Sequence, residues 1–136
     1  MILPDQTLGV LGGGQLGRFF AMAAKTMGYR VVVLDPAPAG PAAALADRHI
    51  AAAYDDTAAL AALIAECAAV TTEFENVPAA SLDHLAAYMP VIPSPAAVAI
   101  TQDRIQEKDF LHASGLPTAP YAAVRTAADL EAAWAR

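Results

Sequence analysis

Gly12-Gly13-Gly14-Gln15-Leu16-Gly17 restricts this chain more than any other segment. It follows an apolar run, Thr7 to Leu11, and opens Leu16 to Met27, which reads as a helix stopped at Gly28. The arrangement is strand, tight turn, helix. Glycine at these positions permits positive φ and close backbone approach, and the helix N-terminus presents unpaired N–H groups to an anion. Asp35 closes the next strand, 18 residues after Gly17, so the pattern fits a dinucleotide fingerprint. Another phosphate-bearing ligand, or a merely tight turn, fits the same glycines.

Arg30 to Leu34 is a continuous apolar run after its first residue, the pattern of a strand buried on both faces of a parallel sheet. Pro36 to Ala46 begins as a loop, and Pro41, tolerated in a first helical turn, allows a helix after it. His49 to Ala53 reads as a third strand and Thr57 to Glu66 as a helix capped from Asp55, Asp56 and Thr57. Ala69 to Thr72 gives a fourth strand, then a polar tip from Glu73 to Asn76, a helix from Pro78 to about Tyr88, and a short strand at Val91 and Ile92. This alternation predicts an α/β fold: an open parallel sheet with helices on both faces. Ser94-Pro95 starts helical segments that run to Ser114 and stop at Gly115; Leu116 to Pro120 is an extended linker, Tyr121 to Val124 a strand, and Ala127 to Arg136 a helix. Residues 1–100 are expected to form one domain and residues 101–136 the opening of another.

A chain of 136 residues accommodates one compact domain and a short extra piece. Its 57% hydrophobic content is inflated by 35 alanines, which add little apolar area. No apolar run reaches the roughly 18 to 20 residues that span a bilayer, and the N-terminus lacks a basic segment leading into an apolar stretch, so a cytoplasmic protein without a membrane partner is expected. A net charge of −6 argues against the basic patch that nucleic acid requires. A small phosphorylated ligand stays open, because a few backbone N–H groups hold an anion whatever the net charge. Cys67 has no partner for a disulfide and no companion at ligand spacing, and reads as a small buried residue; no metal site is expected in these residues.

Two further clusters bear on chemistry. Thr71-Thr72-Glu73-Phe74-Glu75-Asn76-Val77-Pro78 lies at the C-terminal end of the fourth strand, the edge that also carries the glycines and the edge at which open parallel sheets bind ligands. A polyhydroxylated or amine-bearing substrate finds acceptors there; taken alone, the segment also reads as a solvated turn. Thr101-Gln102-Asp103-Arg104-Ile105-Gln106-Glu107-Lys108, followed by Gly115-Leu116-Pro117-Thr118-Ala119-Pro120, sets Arg104 and Lys108 on one helix face. Such a pair is a solvated, Glu-paired face or a phosphate contact.

Together the three clusters resemble the carboxyaminoimidazole ribonucleotide synthases, the PurK family of ATP-grasp enzymes, in order from Val10 to about Tyr121. The resemblance implies a Rossmann-like pre-ATP-grasp domain followed by the first elements of an ATP-grasp domain. It implies a ligase of purine biosynthesis that uses ATP and Mg2+ to phosphorylate bicarbonate and passes the carboxyl group to aminoimidazole ribonucleotide. It places Gln15, Leu16 and Glu73 on the substrate, with Gly12, Gly13, Gly14 and Gly17 forming the loop beneath it. Glu75 and Asn76 are expected to hold the turn that aims Glu73, and Arg104 to reach ATP. The family's lid, adenine-binding lysine and magnesium ligands are expected downstream of residue 136, so this stretch alone is expected to be inactive and to contain no catalytic residue; the full-length enzyme is expected to be a homodimer.

Three rivals compete with that reading. An NAD-dependent oxidoreductase accounts for the glycines and Asp35 but leaves the Glu73 and Pro117 segments unexplained, and the Pro-rich loop after Asp35 is expected to be packing and not a ribose floor. A formate-dependent glycinamide ribonucleotide transformylase would be expected to carry Glu at position 15, and a non-catalytic module of the same fold is the third. His49, His84 and His112 lack ligand spacing and are expected at or near the surface, while Tyr29, Tyr54, Tyr88, Tyr121 and Trp134 are expected to fill core or interface.

Overall fold

The computed structural model describes residues 1–135. Its elements are β1 (Thr7–Leu11), α1 (Gln15–Thr26), β2 (Arg30–Leu34), β3 (Arg48–Ile50), α2 (Thr57–Glu66), β4 (Ala69–Thr72), α3 (Ala79–Ala86), β5 (Val91–Ile92), α4 (Pro95–Thr101), α5 (Arg104–Ala113) and α6 (Ala127–Trp134). The strands form one parallel sheet in the order β3-β2-β1-β4-β5. The two-residue period of a strand divides its side chains between two cores. Val10, Val31 and Val33 face α1 and pack with Ala21, Ala24 and Ala42. Leu11, Val32 and Leu34 face α2 and α3 and pack with Leu60, Leu63, Leu82 and Leu85.

The helices differ because the two faces differ. α1 buries Gly17, Ala21 and Ala24, three small residues at helical spacing, so its backbone lies close to the sheet. α2 and α3 present leucines to the other face. α2 begins where Asp56 accepts a hydrogen bond from the Ala59 N–H at 2.8 Å, a side-chain N-cap.

The chain divides into two compact units, Met1–Ala99 and a second that starts at Ile100. Within the second, α5 and α6 bury no residue among those described. α5 starts at Asp103, whose side chain accepts from the N–H groups of Ile105 and Gln106. α6 starts with a capping box in which Thr126 and Asp129 satisfy each other's backbone N–H.

Several boundaries depart from the sequence reading. The expected strand at Tyr121 to Val124 is absent among the described residues, because the second unit holds no other strand to pair with it. Residues 41–45 form turns and no helix. There the Ala42 N–H donates to the Gly13 carbonyl, and a β-carbon at Gly40 would lie 2.8 Å from that oxygen, so the loop follows the glycine turn and not a helical path. The third strand sits at Arg48–Ile50, earlier and shorter than expected.

Leu63 is fully buried at the centre of the larger core, whereas Leu130 on α6 is exposed. Leu63→Ala is expected to cost about 2 to 5 kcal/mol in urea unfolding, and Leu130→Ala less than about 0.5 kcal/mol.

Candidate functional site

Register places the site. Leu11 lies opposite both Leu34 and Thr72, so the chain leaves β1, β2 and β4 at one level of the same sheet edge. From β1 the chain crosses by α1 on one face, and it reaches β4 by α2 on the other. Connections that diverge in this way open a crevice at the carboxyl ends of the strands. The cleft there has a volume of about 360 Å3 and is lined by residues 12–17 with Asp35, Tyr54, Glu73 and Phe74. Gln15, Leu16, Glu73 and the four expected glycines are therefore brought together. Arg104 belongs to the second unit, where its exposed guanidinium pairs with Glu107.

The glycines are required by space as well as by torsion. Gly12 has φ +123°, a region that side chains rarely occupy, and a β-carbon on Gly17 would sit 2.2 Å from the Gly12 carbonyl oxygen. A β-carbon on Gly13 would meet the Asp35 side chain at 2.8 Å. The Gly12 N–H donates to the Leu34 carbonyl at 3.0 Å and the Gly13 N–H to Asp35 Oδ2 at 2.6 Å, so both are committed within the protein. Gly14 caps α1 without a side chain. The donors left for an anion are thus those of the first helical turn, around Gln15 and Leu16.

Asp35, the residue that made the dinucleotide reading attractive, is occupied. Oδ2 accepts from the Gly13 N–H and from the Tyr54 hydroxyl at 2.7 Å, and Oδ1 accepts from the Ala37 N–H at 2.8 Å. Burial alone would raise its pKa, but these hydrogen bonds, together with the charge of His49, hold the carboxyl below its ordinary value. Burial and the Asp35 carboxylate push the Tyr54 hydroxyl well above its ordinary value, so it stays a donor. The Tyr54 ring lies 6.3 Å from that of Phe74, within the range of favourable aromatic pairs.

Glu73 stands on an exposed tip anchored at both ends. Before the tip, the buried Thr72 hydroxyl donates to the Phe74 carbonyl at 2.9 Å and accepts from the Phe74 N–H. After it, Val77 is fully buried. Thr72 and Val77 thus anchor the turn at its ends, and Glu75 and Asn76, expected to hold it, are both exposed on it. Thr72 and Tyr54 are the site residues that sequence reasoning missed. Thr72 stood beside Glu73 in the right segment, but a threonine at a strand end carries no sign of which carbonyl it meets; Tyr54 belongs to no motif and passed as a core filler.

The depressed Asp35 pKa predicts an acid limb in stability. A lowered folded-state value contributes stability that is present above the ordinary carboxylate pKa, about pH 4, and lost as pH falls through the folded value. Asp35→Asn is expected to flatten a plot of urea midpoint against pH below about pH 5, where protonation of an ordinary carboxylate begins. Asp47, bonded by Lys25 and by the Val31 N–H, has a lowered pKa as well and keeps part of the slope.

The sequence and the fold match those of known proteins. The ribonucleotide synthetase preATP-grasp domain family matches residues 5–102. The N5-carboxyaminoimidazole ribonucleotide synthase of Brucella melitensis is 52% identical over 118 residues, 87% of this chain and 33% of that protein. Its counterpart in Pseudomonas aeruginosa is 44% identical over 126 residues, 93% of this chain and 35% of that protein. This chain thus spans about a third of the length of the relatives it matches. Among solved structures, an N5-carboxyaminoimidazole ribonucleotide synthetase in complex with ADP superposes with a TM-score of 0.94 at 41% identity, over 99% of this chain and 36% of that one. The Aspergillus clavatus synthase in complex with ADP and 5-aminoimidazole ribonucleotide has a TM-score of 0.84 at 32% identity, over 97% of this chain and 36% of that one. By sequence and by fold, the chain belongs to the ribonucleotide synthetase preATP-grasp domain family.

Proposed function

We propose that this chain is the substrate-side domain, with the opening of the ATP-grasp domain, of an ATP-dependent N5-carboxyaminoimidazole ribonucleotide synthase of purine biosynthesis. The boundary is put near residue 100. The observation that carries the proposal is the cleft at the β1/β4 edge, which sets a helix N-terminus without a side-chain cap beside the exposed Glu73. A ribonucleotide matches that pairing: a dianionic phosphate for the N–H groups at Gln15 and Leu16, and hydroxyl and amine hydrogens for Glu73. A dinucleotide matches it less well, because the oxygens of Asp35 that would receive a ribose already accept three hydrogen bonds.

The reaction joins three small substrates. An oxygen of bicarbonate attacks the γ-phosphorus of ATP, ADP departs, and carboxyphosphate forms. The exocyclic amine of aminoimidazole ribonucleotide then attacks the carboxyl carbon, phosphate leaves with the C–O bonding pair, and the nitrogen loses a proton. The residues here bind and orient the amine-bearing substrate. Glu73 fixes the ribonucleotide through its hydrogens, and the glycine loop holds the other end.

Arg104 is assigned to the ATP phosphates. Its pairing with Glu107 does not oppose that role, because an exposed ion pair is worth only about 0 to 1 kcal/mol and is readily exchanged for a phosphate. The Mg2+ that accompanies ATP is assigned to other parts of a full-length enzyme. Homodimerisation and a cytoplasmic location complete the reading; no helix among the described residues is long and apolar enough to cross a membrane.

Kinetics of the full-length enzyme test these roles. Glu73→Gln is expected to raise the ribonucleotide KM about tenfold or more with little change for ATP, because a hydrogen bond to a charged group is lost. Arg104→Ala should raise the ATP KM and leave the ribonucleotide KM near wild type, with Arg104→Lys only partly restoring it, since lysine keeps the charge and loses the planar fork. Wild-type ATP dependence in both Arg104 variants would return that residue to the solvated helix face. Micromolar NAD binding in calorimetry, without a response to aminoimidazole ribonucleotide, would overturn the whole assignment.

A further inference from the structure

Tyr54 lies in the wall of the cleft and touches both of its sides. Its hydroxyl donates to Asp35 Oδ2, the same oxygen that receives the Gly13 N–H, and its ring meets the ring of Phe74, next to Glu73. The two sides are also joined at the sheet edge, where the Glu73 N–H donates to the Leu11 carbonyl at 3.3 Å and the Thr72 hydroxyl lies 3.2 Å from the same oxygen. From these contacts we infer that Tyr54 is a positioning residue, which through Asp35 sets the distance between the anion-binding turn of α1 and the carboxylate of Glu73.

The inference rests on the ribonucleotide reading for its substrate, but the strut itself is a property of the chain. A ligand held at two points binds well only when their separation matches its own length, and a misplacement of about 1 Å is costly in such sites. With the hydroxyl removed, Asp35 keeps its two N–H partners and gains freedom to rotate, and the Gly13 turn moves with it. The ring contact with Phe74 survives in phenylalanine. Tyr54→Phe therefore isolates the hydroxyl, and Tyr54→Leu removes both contacts.

Two readouts decide the matter. In the full-length enzyme, Tyr54→Phe is expected to raise the ribonucleotide KM roughly three- to tenfold, the scale of one lost hydrogen bond, with the ATP KM and the unfolding midpoint near wild type; Tyr54→Leu should raise it further. In the 136-residue chain, the Gly13 amide resonance should move upfield and exchange faster in Tyr54→Phe, because its hydrogen bond to Asp35 loosens. A shifted KM with an unmoved Gly13 amide would mean that Tyr54 acts on the substrate directly, and a moved amide with an unchanged KM that the loop position does not matter; either result overturns the inference. Should Tyr54→Phe fail to fold, Asp35→Asn weakens the same set of bonds and is read in the same two ways. If the wild-type full-length enzyme shows no turnover with the ribonucleotide, the functional reading fails, and the Gly13 amide alone still reports whether Tyr54 sets the turn.

Discussion

Helix α1 comes so close to the end of β1 that no β-carbon fits at Gly17, and much of the first unit follows from that approach. The stripe of Gly17, Ala21 and Ala24 is its continuation along the helix. A close helix brings its N-terminus to the level of the strand ends and not above them, so its first N–H groups open into the crevice between β1 and β4. The carbonyls of the turn are crowded as well: a β-carbon at Gly17 would meet the Gly12 oxygen, and the Gly13 oxygen accepts from Ala42, which ties the Pro-rich loop down. Substituting Gly17 would therefore disturb the helix, the loop over it and the glycine turn at once.

A chain with a net charge of −6 binds an anion only where local donors outweigh the surrounding field. Here the negative charge nearest the turn, that of Asp35, is faced by three donors of the protein itself, whose dipoles partly offset its field. The other, on Glu73, is carried on a separate exposed tip. The outcome is an asymmetric cleft with donors on one wall and an acceptor on the other. In the proposed function, that polarity is what suits a ligand with a phosphate at one end and hydrogen-bond donors at the other better than one with phosphates in its middle.

Much of this was legible in the sequence because it rests on local rules. Arg30 to Leu34 and Ala69 to Thr72 are strands with the expected ends, since short β-branched runs between turn and helix signals favour a strand. The glycines, Gln15, Leu16 and Glu73 came out on one edge because parallel βαβ topology puts every strand end there. What was not legible depended on partners distant in sequence. Asp35 carried a familiar fingerprint, and only the fold shows its oxygens turned to Gly13 and Tyr54. Residues 121–124 have strand-like composition, yet a strand exists only as one side of a ladder. Residues 41–45 have helix-forming alanines, but the pull of the Gly13 carbonyl on Ala42 outweighs a propensity worth only tenths of a kcal/mol per residue.

The second unit is held by a different kind of energy. α5 and α6 are 10 and 8 residues long and bury none of them, and isolated helices of that length are marginal in water. What defines them is capping: Asp103 at the start of α5 and the Thr126–Asp129 box at the start of α6, with the Tyr121 hydroxyl bonded to Asp109 between them. Caps contribute about 1 kcal/mol each and fix where a helix begins, but they do not replace a core. Trp134 is 90% exposed and Phe110 and Leu130 more than half, so the apolar side chains that would stabilise these helices are displayed and not used. The first unit therefore has the stability of two packed cores, and the second that of local hydrogen bonds, which places it at the low end of the chain's range of local unfolding energies. Arg104 sits in this softer unit, where an exposed pair with Glu107 leaves its guanidinium easily released to a stronger anion.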